Sequence, residues 1–335
     1  MESVSKPKRN GYCWMIILFS ISIFVTFNFM NIRFPMKKPT LALPYHTQDS
    51  SGYICPFWAG RLGNLMFQYA SLYGISKQKG MRLVISKDDT ITQTFLNIPD
   101  VIVNDIAKNI CSKAIVVSEK QACAFGLQSY NFNRRDTVIH QSYLVSWKYF
   151  HYVEDEIRKQ FVFKEDIMKR AHLNVEKQIQ LYQKKNGYNE HLKTIGVHIR
   201  RSDYLTNHNL EYGYNPAPKE YIYSAMDYIR SKFENKTLFL VFISPEAEDI
   251  KWRKENIVGI DIINMEPVSA EVDMCSLALC NHSIITGGSY GWWSAWLANG
   301  TTVYYRNVAS NNSELREEYS KDMDDFFYPG WIGME

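Results

Sequence analysis

The run Leu238-Phe239-Leu240-Val241-Phe242-Ile243 constrains this chain most. Six consecutive apolar residues suit a strand buried on both faces, the condition of an interior strand in a parallel sheet. Similar segments recur around it: Thr194 to Ile199, where Ile195, Val197 and Ile199 alternate, then Val258 to Ile263 and Ser283 to Ile285. Helical spacing separates them at Lys219 to Phe233, Glu246 to Asn256, Ala270 to Cys280 and Ser289 to Leu297. Earlier, a short strand at Ile54 to Trp58 leads through Ala59-Gly60-Arg61-Leu62-Gly63-Asn64 into a helical pattern that ends near Lys79-Gly80. Met81 to Ser86 reads as the next strand, and Glu165 to Asn186 as a long polar helix before Gly187. The aromatic-rich stretch Val138 to Phe163 fits neither period. This alternation predicts a doubly wound parallel α/β sheet. No internal repeat is visible.

With 335 residues, 46% hydrophobic and 22% charged, the chain is neither disordered nor fibrous, and it is long enough for two domains or two halves of one fold. Its formal charge is +3. Residues 1–38 hold six basic residues against Glu2, which leaves 32 basic and 34 acidic residues, a net of −2, in the rest. Such a body lacks the basic footprint of a nucleic-acid binder.

The excess charge flanks Tyr12 to Met30, nineteen residues with no charge among them. As a helix they span roughly 28 Å, close to a bilayer core. A cleaved signal peptide would be shorter and would end in small residues; this run ends in Phe27, Asn28, Phe29, Met30 and Asn31. An uncleaved anchor over 12–31 is therefore expected. Lys6, Lys8 and Arg9 on one side nearly balance Arg33, Lys37 and Lys38 on the other, so charge alone does not orient it. The Asn-x-Ser/Thr sites Asn235, Asn281, Asn299 and Asn311 all follow the segment. Together with Pro35, Pro39 and Pro44 they favour a short cytoplasmic tail, an anchor, a stem and a luminal body. Asn281 and Asn299 flank a predicted core helix, so Asn281 is expected to stay unglycosylated. Of six cysteines Cys13 lies in the anchor; pairing among the other five is open, and Cys275 and Cys280 read as small buried hydrophobes.

In open α/β sheets ligands bind beyond the carboxyl ends of strands. Three polar clusters are predicted there: His198-Ile199-Arg200-Arg201-Ser202-Asp203, Ser244-Pro245-Glu246, and Thr286-Gly287-Gly288-Ser289-Tyr290-Gly291. The third opens a helix, whose free N–H groups and partial positive charge suit an anion, with Thr286 and Ser289 adding hydroxyls. The arginines supply forks suited to a pyrophosphate, or else pair with Asp203. Gly60-Arg61-Leu62-Gly63-Asn64 is either a tight turn or a third part of the site. Trp292, Trp293 and Trp296 share a helix face, where core packing is the ordinary reading and a sugar platform the alternative. Metal readings are weak: Asp322-Met323-Asp324 sits in a polar tail and reads as a solvated acidic face, Asp88-Asp89 lacks a third ligand, and no His/Cys cluster has zinc spacing. No phosphate-binding loop of the Walker type and no Gly-x-Ser-x-Gly elbow occurs.

Gly60 to Ala70 (GRLGNLMFQYA), Gly196 to Leu205 (GVHIRRSDYL) and Thr286 to Gly300 (TGGSYGWWSAWLANG) resemble the α-1,2-fucosyltransferase family, in matching order and spacing over most of 53–305. The resemblance implies inverting, metal-independent transfer of L-fucose from GDP-β-L-fucose, with no cofactor, to the 2-hydroxyl of a terminal β-galactoside. It implies a GT-B fold, two Rossmann-like halves with a cleft: 53–190 with the Gly-rich loop and the acceptor side, and 191–335 holding the GDP-sugar. Residues 1–11 would be the tail, 12–31 the signal-anchor in the bilayer and 32–52 the stem of a single-pass type II Golgi glycoprotein. Arg200 matches the family's pyrophosphate-binding arginine, with His198, Arg201 and Asp203 completing the element. Asp273 and Ser289 match contacts to guanine and diphosphate; Gly60, Gly63 and Asn64 line the cleft, and Thr286 joins the diphosphate seat. Ser244-Pro245-Glu246 replaces the family's usual Ser-Asp-Asp, which shifts any contact there to Glu246 or Asp249. Asp203, His208 and Glu211 are the candidates for a general base, Asp203 being alternatively an orienter of arginine. The other readings are a transferase of a GDP-sugar to a different glycan or to protein, and an inactive anchored glycan-binding protein.

Overall fold

A computed structural model describes residues 52–187, 192–234 and 236–335. The predicted tail, anchor and nearly all of the stem lie outside the described residues, as does Asn235. Among the described residues no helix is long and apolar enough to cross a membrane.

The chain begins with β1 (Tyr53–Pro56) and α1 (Leu62–Lys79), a helix closed by Gly80 in the left-handed region. The segment predicted as one strand, Met81 to Ser86, breaks at Val84 into β2 (Arg82–Leu83) and β3 (Ile85–Ser86). The break follows from partner choice: β2 pairs with β1, while β3 turns away to pair with β4 (Val101–Ile102), reached through α2 (Thr90–Thr94). Then come α3 (Asn104–Cys111), β5 (Ile115–Val117) and β6 (Val138–His140). The ambiguous aromatic stretch resolves into β6, short 3-10 turns and α4 (Glu154–Gln160). These strands form a parallel sheet in the order β2-β1-β6-β5. The polar helix α5 (Glu165–Asn186) ends at Gly187, as predicted, and packs against the second half.

The second half runs β7 (Lys193–Ile199), α6 (Asn207–Tyr212), α7 (Lys219–Lys232), β8 (Thr237–Ile243), α8 (Ala247–Asn256) and β9 (Ile262–Asn264). It continues through α9 (Ala270–Ala278), β10 (His282–Ile285), α10 (Gly288–Ala298), β11 (Thr302–Tyr305), α11 (Glu314–Glu317) and β12 (Ile332–Met334). All seven residues of β8 are buried. The predicted strand Val258 to Ile263 starts only at Ile262; Val258 and Ile260 are exposed in the turn that brings the chain back from α8. The six parallel strands order as β9-β8-β7-β10-β11-β12. Counted from β7 this is 3-2-1-4-5-6, the doubly wound order, whose direction reverses between β7 and β10.

The two sheets are joined by α1 against α10. Every residue of α1 from Leu62 to Ser76 except Asn64 is buried. Phe67 packs on Trp292 and Trp293 with ring centres 4.7 and 5.0 Å apart, and Trp293 stacks on Phe150 at 5.4 Å. Trp292, Trp293 and Trp296 are fully buried, so the tryptophan face is core.

Asp322 and Asp324 are exposed, as a solvated acidic face requires, but the residues that follow them are not a free polar tail. Asp324 pairs with Lys148 at 3.2 Å, and Asp325, Phe326 and Phe327 are buried. Ser146 Oγ donates to the Asp325 carbonyl, Trp147 Nε1 to that of Asp324, and the Phe125 N–H to the Asp325 carboxylate, each at 2.8 Å. The chain end is thereby strapped across the first half.

Cys55 on β1 is disulfide-bonded to Cys111 at the end of α3, 56 residues on. Cys275 and Cys280 are free and buried, as expected of small hydrophobes. A cross-link closing a loop of that length removes about 4 kcal/mol of chain entropy from the unfolded state. Cys111→Ser is expected to lower unfolding free energy by about that much. Urea melts of wild type and variant, with and without dithiothreitol, check it: reductant should bring wild type to the variant's midpoint and leave the variant unmoved.

Candidate active site

A cleft of about 810 Å³ opens between the two halves. It lies beyond the carboxyl ends of β7 and β10, where the strand order reverses. The register Ile285↔His198 sets the two strand ends side by side. One residue further the Arg200 N–H donates to Thr286 Oγ1 at 2.7 Å, so the loops leaving the strands are tied together.

Arg200 lines the cleft with its guanidinium 5.0 Å from the Tyr204 ring centre and ion-paired with Asp203. Asp203 also receives Arg61 Nη2 at 3.0 Å from the α1 side. One carboxylate thus collects a guanidinium from each half. Two helix N-termini converge on the same space. The α10 start at Gly287 (φ +143°) and Gly288 (φ +76°) uses backbone geometry that side chains disfavour. Neither α10 nor α1 has a side-chain cap from its N-cap residue; the Asn64 N–H of α1 turns back to the Arg61 carbonyl at 2.8 Å, so an anion would draw mainly on the first turn of α10. Ser289 Oγ donates to Asn64 Oδ1 and ties the two starts together.

His198 is buried beneath this seat, its ring 5.0 Å from Tyr290. Burial, with Arg200 adding, pushes its pKa down to about 3, so it is a neutral imidazole. Asp273 sits at the far wall on α9 and receives the Val268 N–H at 3.2 Å. Burial chiefly lifts its carboxyl to about 6; Glu271 adds to this, and the Val268 N–H and Arg170 of α5 oppose it.

Of the residues singled out in the sequence, Gly60, Gly63, Asn64, His198, Arg200, Asp203, Asp273 and Ser289 line one cleft. Thr286 lies just behind, as acceptor for Arg200. Arg201 turns away, its guanidinium 3.9 Å from the Trp252 ring centre. Glu211 and His208 are exposed on α6 and not part of the lining. Glu246 lines the cleft, with Ser244 and Ser202 hydroxyls holding its carboxyl below the usual range. Asp249 is buried below, receiving the Ser202 N–H at 3.0 Å together with the Ser202 and Ser244 hydroxyls, and so braces the turn after Arg200. Asn281 Oδ1 accepts from the Thr194 N–H at 2.9 Å, while Asn299 and Asn311 are exposed. Among the described residues no group of three or more His, Cys, Asp or Glu is placed to hold a metal ion.

Other lining residues are not singled out in the sequence. Arg61 lies inside the Gly-rich loop and Tyr204 inside the Gly196–Leu205 motif, with Tyr212 and Tyr214 shortly after it. Tyr143, Glu318, Tyr319 and Phe326 enter from distant segments.

Relatives are found along most of the chain. Galactoside alpha-(1,2)-fucosyltransferase 1 of Oryctolagus cuniculus is 27% identical over 282 residues, 82% of this chain and 71% of that protein. The Homo sapiens protein of the same name is 27% identical over 87% of this chain and 77% of its own length. Among solved structures, the apo form of POFUT1 aligns with 77% of this chain and 99% of that one, at 12% identity and a TM-score of 0.47. The profile of Glycosyl transferase family 11 matches residues 20–335, which takes in both sheets and the whole cleft wall: the chain belongs to that family.

Proposed function

We propose that the chain is a galactoside α-1,2-fucosyltransferase, moving L-fucose from GDP-β-L-fucose to the 2-hydroxyl of a terminal β-galactoside with inversion. Family membership supports the reaction class. The observation that carries the mechanism is Arg200 facing two uncapped helix starts at the strand-order reversal. As the C1–O bond to phosphate breaks, positive charge grows on the sugar and negative charge on the departing GDP. Arg200 and the N–H groups of α10 stabilise that phosphate charge, so the reading needs no metal ion. His198, neutral and buried, offers the diphosphate a hydrogen bond rather than a charge. The ion pairs of Asp203 to Arg200 and Arg61 favour its role as orienter of the arginines over that of base.

The two parallel sheets flanking the cleft fit a GT-B arrangement with 53–190 and 191–335 as its halves, the second holding the donor. The apolar segment 12–31 anchors a type II protein in the Golgi membrane with this body luminal. The Cys55–Cys111 bond fits an oxidising lumen, and exposed Asn299 and Asn311 fit glycosylation there.

The test is transfer from GDP-fucose to lactose by the full chain in detergent, with and without EDTA, with linkage analysis of the product. An EDTA-resistant α-1,2 product is expected. GDP-fucose hydrolysis without product would move the acceptor to another glycan or to protein; no donor binding by a folded sample would leave an inactive glycan-binding protein.

Guanine presents paired N–H donors that require Asp273 ionised. With its carboxyl lifted to about 6, protonation below that pH removes the binding form. GDP affinity is therefore expected to hold above pH 6 and to fall by about tenfold per pH unit below it. Calorimetric titration between pH 4.5 and 8 checks this, and Asp273→Asn should bind weakly with no such slope.

A further inference from the structure

Beyond Arg200 the cleft changes character. The Tyr204 ring that meets the Arg200 guanidinium lies 4.2 Å, centre to centre, from Tyr214, and Tyr214 lies 6.0 Å from Tyr212 at the end of α6. Tyr212 and Glu318 of the C-terminal strap line the same cleft, and after burial the Glu318 carboxylate is the main cause that pushes the Tyr212 phenol up. Glu318 Oε2 accepts the Ala122 N–H at 2.6 Å, and the Glu318 carbonyl accepts the Cys123 N–H at 2.9 Å. The carboxylate is thus held by one oxygen from the first half. Its Oε1 takes no hydrogen bond from any described residue, and the side chain lines the cleft.

A fixed carboxylate with one free oxygen, beside phenol rings, suits a sugar. The C–H face of a pyranose packs on aromatic rings, and its hydroxyls donate to a charged acceptor. We propose that this end of the cleft is the acceptor subsite, where Glu318 Oε1 receives a hydroxyl of the terminal β-galactosyl ring and Tyr212 lies along its face. This rests on the fucosyltransferase reading and adds to it: the acceptor is gripped by the C-terminal strap and α6, not by the first half alone. Glu318 binds substrate here; no proton transfer is assigned to it.

The test uses the full chain with lactose as acceptor. Glu318→Gln keeps an oxygen for the Ala122 N–H and removes only the charge. It is expected to raise the KM for lactose by about 10- to 100-fold, the loss of one charged hydrogen bond. GDP affinity and melting temperature should not move. Tyr212→Ala, on the short exposed-faced α6 and away from the Ala122 contact, should raise the same KM about fivefold or more. Unchanged lactose KM in both variants overturns the subsite, as does a rise in KM for GDP-fucose in its place. A wild-type chain that binds GDP but does not transfer to lactose also overturns it and leaves the donor reading standing. A wild-type chain that does not bind GDP overturns the donor reading itself.

Discussion

Arg200→Ala is expected to lower kcat for fucosyl transfer about 10³-fold, or roughly 4 kcal/mol of transition-state stabilisation, with no change in melting temperature. The size follows from placement. The guanidinium is mostly shielded, with 18% of its side chain exposed, so little water remains to replace it when the phosphate charge develops. It is aimed from behind, because its own N–H is fixed to Thr286 and its fork is held by Asp203 against the Tyr204 ring. Such a preorganised donor needs no reorganisation at the moment the bond breaks. Arg200→Lys keeps a positive charge but loses the planar fork, and should recover only a small part of the rate. Asp203→Asn loosens both Arg200 and Arg61 while leaving them in place, so a smaller fall is expected. The measurement is kcat at saturating GDP-fucose and lactose for all three, beside GDP affinity by calorimetry. A rate for Arg200→Ala within fivefold of wild type would remove Arg200 from the mechanism.

The second half of the fold was legible because buried parallel strands announce themselves. The unbroken apolar run of β8 and the alternation in β7 state both their length and their burial. Strand ends then fall beside polar clusters, and the strand-order reversal brings Arg200 to Ser289. Where burial and pattern part company, the reading slips. Val258 and Ile260 are apolar yet exposed in a turn, and Val84 divides a strand that has two different partners. In the cleft the legible residues are those on the loop that follows their own strand. Tyr143 and Glu318 were invisible, since nothing local distinguishes a tyrosine or glutamate that a distant segment will deliver. Asp322 and Asp324 are solvated, as their sequence suggests, but the strapping of the segment after them was not legible, because its partners, Phe125, Ser146, Trp147 and Lys148, lie 176 to 200 residues earlier. Arg201 and Arg200 are chemically alike and adjacent; only the turn braced by Asp249 sends one to the cleft and the other to Trp252.

Gly63→Ala is expected to cost about 3 kcal/mol of stability and at least 100-fold in kcat. An added Cβ would stand 2.5 Å from the Tyr290 nitrogen, 2.7 Å from the Ser289 carbonyl carbon and 2.8 Å from the Tyr290 Cα. All three atoms are backbone, so no side chain can swing aside; α1 and α10 must move apart. That displacement loosens the packing of Phe67 on Trp292 and Trp293, the aromatic joint between the halves. It also breaks the Ser289–Asn64 bond and spreads the two helix starts that face the phosphate seat. Stability and rate therefore fall from one cause. Gly187→Ala is the control: its φ of +70° strains a side chain, but nothing lies within 4 Å of the added carbon, and it sits between α5 and the start of β7, whereas the cleft loops leave the carboxyl end of that strand. It should cost about 1 kcal/mol and leave kcat unchanged. Urea melts and kcat on both variants decide it. If Gly63→Ala loses stability but keeps its rate, the helix starts tolerate displacement and the phosphate charge is carried by Arg200 alone; if it loses rate in step with stability while Gly187→Ala does not, the close approach of α1 to α10 is what sets the geometry of the seat.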